Sequence, residues 1–126
     1  MPDLPVIDPS SIQTLRDLSP GDNDAFLREM VGLFLEDTPL RIAELEAGLK
    51  AADGATFTRA AHSIKGSSGN LGARQLAAVA ARVEDDARTK PLAQLGPSIE
   101  DIRAEFSRAN DELQRILAAG PGGPKA

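Results

Sequence analysis

The chain has 126 residues, 41% of them apolar and 26% charged, which is the composition of one folded soluble domain and not of a disordered segment. Fourteen basic and 19 acidic residues leave a net charge of −5, which argues against non-specific nucleic-acid binding and against an anionic membrane surface. The absence of cysteine excludes disulfides, thiolate zinc sites, iron–sulfur clusters and cysteine nucleophiles, and a single histidine excludes a His-pair metal site within one chain.

Aromatic residues are only 3% of the chain, four Phe with no Trp or Tyr. The core must be built from Leu, Ile, Val and Ala, which favours helices. The N-terminus, MPDLPVIDPSS, is polar and rich in proline, and resembles neither a signal peptide nor a membrane span. The expected compartment is the cytoplasm.

Proline placement marks out where helices can lie. Five of the nine prolines fall in the first 39 residues, and none lies between Leu40 and Lys90. Proline is expelled from helix interiors because it lacks an N–H and its ring clashes with the preceding turn. Residues 1–7 are expected to be a tail. A short helix around Ser10–Leu18 then caps one end of the domain. Phe26, Met30, Leu33 and Phe34 form the next apolar stripe at helical spacing. Thr38-Pro39 reads either as an N-cap with its first helical residue or as a kink in a longer helix. Leu40, Ile42, Leu45 and Leu49 follow, and Asp53-Gly54 is a turn signal.

A further segment carries Phe57, Ala61, Ile64, Ser68 and Leu71, and another Leu76, Val79, Ala80, Val83 and Ala87. After Lys90-Pro91 comes a short break. Gly96-Pro97 opens the last helix, with Glu100 and Asp101 placed in its first turn, where acids suit the helix dipole. That helix shows Ile99, Ile102, Phe106, Ala109, Leu113 and Ile116 on one side. Residues 119–126, AGPGGPKA, are expected to be a flexible tail. There is no strand-like alternation and no internal repeat. The expected fold is all-α, an antiparallel up-down-up-down four-helix bundle over residues 8–118 with the short extra N-terminal helix; its main helices run about 15–24 residues.

One stretch carries chemistry: Ala61-His62-Ser63-Ile64-Lys65-Gly66-Ser67-Ser68-Gly69-Asn70-Leu71-Gly72. Its apolar register runs straight through Gly66 and Gly69. Each glycine inside a helix costs about 1 kcal/mol relative to alanine, so the pair costs about 2 kcal/mol. At about 100° per residue, positions i+4 and i+7 lie within roughly 40° of position i. Gly66 and Gly69 therefore share the face of His62, and their missing side chains clear a strip beside the imidazole. Lys65, at i+3, sits on the same face. Thr58 and Arg59 flank it one turn earlier.

An exposed imidazole with an ordinary pKa is largely neutral at pH 7 and nucleophilic. Beside a lysine, the fitting chemistry is acceptance of a phosphoryl group, with Lys65 pairing to its oxygens. Phosphoryl transfer runs on positioning and on electrostatics around Mg²⁺. No metal site and no nucleotide-binding motif is legible, so the chain is expected to be no enzyme alone and to need no cofactor of its own. The metal and a partner aspartate would come from a second protein.

Residues 61–73 resemble the signature of histidine-containing phosphotransfer (HPt) domains, the four-helix intermediates of multistep phosphorelays in two-component signalling. The pattern His-x-x-Lys-Gly-x-Ser, with Gly-Ala a few residues on, is matched at His62, Lys65, Gly66, Ser68, Gly72 and Ala73. The resemblance extends over about residues 8–118, including the segment FLREMVGLFLEDTPLRIAELEAGLKAAD and Leu76 to Glu84. It implies that His62 is a phosphoprotein site, phosphorylated on Nε2 by a receiver-domain aspartyl phosphate or by a sensor or hybrid histidine kinase, and that it passes the group to another response-regulator receiver. It also implies that Lys65 supports the phosphoryl group, that Gly66 and Gly69 admit the receiver, and that the protein is a monomer.

Plainer readings stand beside these. Arg59 is a surface cation or a partner-docking residue. Gly66 could end the helix, but the register continuing to Leu71 favours termination at Gly72. Ser68 falls on the inward stripe and reads as a packing residue. Glu84-Asp85-Asp86 reads as a solvated face, because consecutive helical residues point apart and cannot form a metal site. Gly120–Gly123 has no preceding strand and no following Gly-Lys-Ser, so it is no phosphate loop. A second function class also remains: a helical adaptor that binds a receiver without accepting phosphate.

Overall fold

The computed structural model describes residues 4–121; the parts of the two expected tails at 1–3 and 122–126 lie outside the described residues. Among the described residues five α-helices follow one another: α1 (Pro9–Leu18), α2 (Ala25–Lys50), α3 (Gly54–Asn70), α4 (Arg74–Thr89) and, after a 3₁₀ turn at Leu92–Gln94, α5 (Gly96–Ala119). Helix α2 packs on α3 and α5, and α4 packs on the same two helices, which closes a four-helix ring in up-down-up-down order. The described residues contain no strand, and none of their helices is long and apolar enough to cross a membrane.

Helix α1 starts where the sequence marks it. The Asp8 carboxylate accepts from the Ser10 N–H at 3.0 Å, and Pro9 occupies the first helical position, where no N–H is needed. The helix is then tied across the end of the bundle. Asp8 N–H donates to Gly72 O at 2.8 Å, and the Asp8 carboxylate pairs with Arg74 at 2.9 Å. Gly72 has φ +76°, and a Cβ there would stand 2.5 Å from Ser11 Cβ. Only glycine suits both the left-handed turn and this close approach. Ile7, just before α1, is buried in the core.

Helix α2 runs unbroken through Pro39, so the kink-or-cap alternative resolves to one long helix. Its buried residues are Leu27, Val31, Phe34, Thr38, Ile42 and Leu45, with Gly48 closing the series. The register is thus one residue off the expected Phe26–Met30–Leu33 stripe, and Leu33 and Leu40 are exposed. The segment Phe26–Leu35 is apolar nearly all the way round, so its periodicity has no unique phase. A clasp at its start helps to set that phase. Arg16 of α1 donates to both carboxylate oxygens of buried Asp24, at 2.9 and 2.8 Å, and also to Gly120 O at the end of α5. In α3, α4 and α5 the expected stripes are the buried or half-buried ones. Glu100 and Asp101 fall just beyond the first turn of α5, because that helix already begins at Gly96.

The α2–α3 turn puts an alanine where glycine is usual. Asp53 N–H donates to Gly48 O and Ala52 N–H to Leu49 O, a Schellman closure with Ala52 at φ +53°. A left-handed alanine costs about 1–2 kcal/mol, partly offset in a glycine by its larger unfolded-state entropy. Ala52→Gly should therefore stabilise the protein by about 0.5–1 kcal/mol, read as a higher thermal midpoint. A lower midpoint would mean that the alanine side chain packs favourably in the turn.

Candidate functional site

Helix α3 holds the singled-out residues and is built to present them. Asp53 caps it, accepting from Thr56 N–H at 3.2 Å and from the Thr56 hydroxyl at 2.7 Å. Phe57, Ala60, Ala61, Ile64 and Ser68 are buried, which fixes the helix rotation and turns His62 outward. The helix runs through Gly66 and Gly69 and ends at Asn70. Gly72 and Ala73 close it with bonds to Gly69 O and Ser68 O. Gly72, not Gly66, is the terminating glycine.

The His62 side chain is 64% exposed. A Cβ at Gly66 or at Gly69 would find no atom within 4 Å, so the strip beside the imidazole opens on solvent. On the other side of the ring is a shallow open groove. Thr58 and Arg59 of α3 and Ala87 and Arg88 of α4 line it. Arg59 is exposed there and lies in no ion pair among the described residues. The structure thus gathers His62, Lys65, Gly66 and Gly69 on one open face and leaves Arg59 on its border.

The centre of the site is a residue that the sequence reading set on the solvated face. Glu84 of α4 is 4% exposed and buried in the α3–α4 seam. His62 Nδ1 lies 3.0 Å from its Oε2, Lys65 Nζ 2.8 Å from its Oε1, and Arg88 Nη2 2.9 Å from its Oε2. The Lys65 ammonium, donating to Glu84, holds its carboxyl below the usual carboxylate range; burial opposes this and the bond to His62 adds to it. An ionised carboxylate can only accept, so the proton on the imidazole resides on Nδ1. Nε2 is then the nitrogen with the free lone pair. Asp85 is exposed and Asp86 half-buried, and among the described residues no three potential metal ligands converge.

Two signals in the sequence pointed to Glu84. Leu76, Ala80 and Glu84 step by four along the buried side of α4, so a carboxylate there lies on the core stripe. His62 and Glu84 also lie nearly equal distances before and after the turn at Gly72-Ala73, which sets them level in an antiparallel pair. Arg88, one turn beyond Glu84, follows from the same count.

Comparisons with known proteins bear on the family and the fold. Residues 29–119 match the family model described as the Hpt domain. The structure is similar to that of histidine-containing phosphotransfer protein B from Pseudomonas aeruginosa PAO1, with 26% identity, a TM-score of 0.77, and coverage of 90% of this chain and 96% of that one. It also resembles a putative histidine-containing phosphotransfer protein from rice, with 22% identity, a TM-score of 0.77, and coverage of 90% of this chain and 82% of that one. The HPT domain of a sensor hybrid histidine kinase from Shewanella shares 20% identity at a TM-score of 0.67, over 92% of this chain and 97% of that one. These last two bear on the fold alone. No curated protein matches the chain.

Proposed function

The chain belongs to the Hpt domain family and has its histidine phosphotransfer role in two-component phosphorelays, and from that premise we propose that its phosphoryl carrier is Nε2 of His62. The observation that carries this reading is the bond from His62 Nδ1 to buried Glu84, which leaves the Nε2 lone pair on the solvent side. The strip over Gly66 and Gly69 gives a second protein room to approach.

In the transfer, the Nε2 lone pair attacks the phosphorus of a receiver's aspartyl phosphate. The N–P bond forms as the O–P bond breaks, and the aspartate carboxylate leaves with the bonding pair. The Nδ1 proton stays where it is. The phosphorylated ring is then cationic, and Glu84 faces that charge. The phosphoryl oxygens carry most of two negative charges, which Lys65 is placed to meet as a point charge. The receiver brings the acyl phosphate and its Mg²⁺; this chain supplies carrier, orientation and access. Reversal of the same steps returns the group to another receiver. A sensor or hybrid histidine kinase stands upstream, and the exchange takes place in the cytoplasm. Residues 8–118 form the functional domain, acting as a monomer, with Arg59 a docking contact at the border of the face.

The test is transfer from a ³²P-labelled receiver domain in Mg²⁺. Wild type should take an acid-labile, base-stable label, and His62→Gln should take none. Incubation with ATP and Mg²⁺ alone should leave the protein unlabelled. Equal label on His62→Gln would refute the assignment. Receiver binding with no label on either protein would make the chain an adaptor.

A further inference from the structure

Glu84 has more cation around it than one carboxylate needs. It carries one negative charge, and two permanent cations touch it, Lys65 at Oε1 and Arg88 at Oε2. A buried carboxylate stripped of its only cation is strongly unfavourable, whereas one good partner suffices to compensate it. If Lys65 were that only partner, its ammonium would be tied to Glu84. A phosphoryl group on His62 would then have to compete for it. With Arg88 in place, Lys65 can leave and Glu84 remains paired.

The two cations are placed for different tasks. Lys65 follows His62 by three residues on α3 and shares its face. Arg88 sits four residues beyond Glu84 on the same helix and also lies 3.7 Å from Asp85, so it is fastened along α4. Its guanidinium shares Oε2 with His62 Nδ1, the oxygen that must stay in place for the ring to keep its tautomer. We propose that Arg88 is a positioning residue that holds Glu84 in place and so releases Lys65 to the phosphoryl group of phosphorylated His62. This proposal rests on the carrier role of His62 given above.

Two measurements decide it. The first is ¹⁵N relaxation of the Lys65 ammonium in the unphosphorylated protein, which needs no phosphotransfer. In Arg88→Gln the ammonium should become more ordered, and its proton exchange with water should slow about tenfold, in the range of coupling between groups that share a partner. The second is a double-mutant cycle on the rate of transfer from a labelled receiver. Arg88→Gln should slow transfer about tenfold when Lys65 is present and less than about twofold in a Lys65→Ala background. Arg88→Lys, which keeps the charge, should restore most of both readouts. An unchanged Lys65 ammonium would overturn the proposal. So would an equal rate loss in both backgrounds, which would make Arg88 a direct phosphoryl contact or a fold element. A wild type that takes no label would overturn the His62 reading, while the relaxation data would still decide the role of Arg88.

Discussion

Gly66→Leu should reduce phosphoryl transfer by about 100-fold or more while raising the thermal midpoint. Both halves follow from the same backbone position. Leucine is a better helix former than glycine by about 0.8–1 kcal/mol, and a Cβ at Gly66 meets nothing within 4 Å, so no clash offsets the gain. For a domain of this size that is a rise of roughly 3–5 °C. Side chains on an α-helix lean toward its N-terminus, over the preceding turn. A leucine at 66 therefore lies back over the approach to His62, one turn earlier. A displacement of about 1 Å between reacting groups can cost about 100-fold, and an isobutyl group imposes more than that. Gly69 lies nearly one turn further along, so Gly69→Leu should cost only about tenfold. The check is the single-turnover rate from a labelled receiver beside a melting curve. Unchanged transfer in a Gly66→Leu protein that melts normally would mean that the receiver docks from the groove side.

The face around His62 was readable in advance because it depends on one helix. The angles between positions 62, 65, 66 and 69 follow from helix geometry alone, and the spacing of Phe57, Ala61, Ile64 and Ser68 sets which side is buried. Termination at Gly72 was equally local. What depends on a second helix was harder to read. In α2 the apolar residues surround the axis, so the burial of Leu27, Val31 and Phe34 is set by tertiary packing and by the Arg16–Asp24 clasp. Pro39 could not be placed as cap or interior residue, because the answer lies in packing: the buried series Phe34, Thr38, Ile42 and Leu45 continues across it. Glu84 was misplaced for a related reason. A carboxylate on a core stripe is ordinarily unfavourable, and its burial is tolerable here because Lys65 and His62 arrive from α3 and Arg88 lies one turn along its own helix.

Replacing that carboxylate should separate orientation from stability. Glu84→Leu removes the acceptor of the Nδ1 proton, so the ring can turn and its tautomer is no longer fixed. It also removes the charge that faces the phosphorylated ring. Transfer should fall by about 30–100-fold, the usual scale for losing a group that orients a reacting imidazole. Glu84→Gln keeps an oxygen that can accept from Nδ1 and loses only the charge, so its rate should fall by less than about tenfold. Stability should respond differently. In Glu84→Leu both Lys65 and Arg88 are exposed enough to turn to water, and a buried ion pair replaced by an apolar group is often neutral. At pH 7 the denaturation midpoint should therefore move little. Acid should reveal the pair, because the folded carboxyl titrates below its usual range. Its stabilisation is complete above the unfolded value of about 4.3 and is lost as pH falls through the lowered folded value. Urea midpoints between about pH 5 and pH 2 should fall less in Glu84→Gln than in wild type. Wild-type transfer by Glu84→Leu would show that the imidazole needs no anchor, and the assignment of Nε2 as the attacking nitrogen would lose its structural basis.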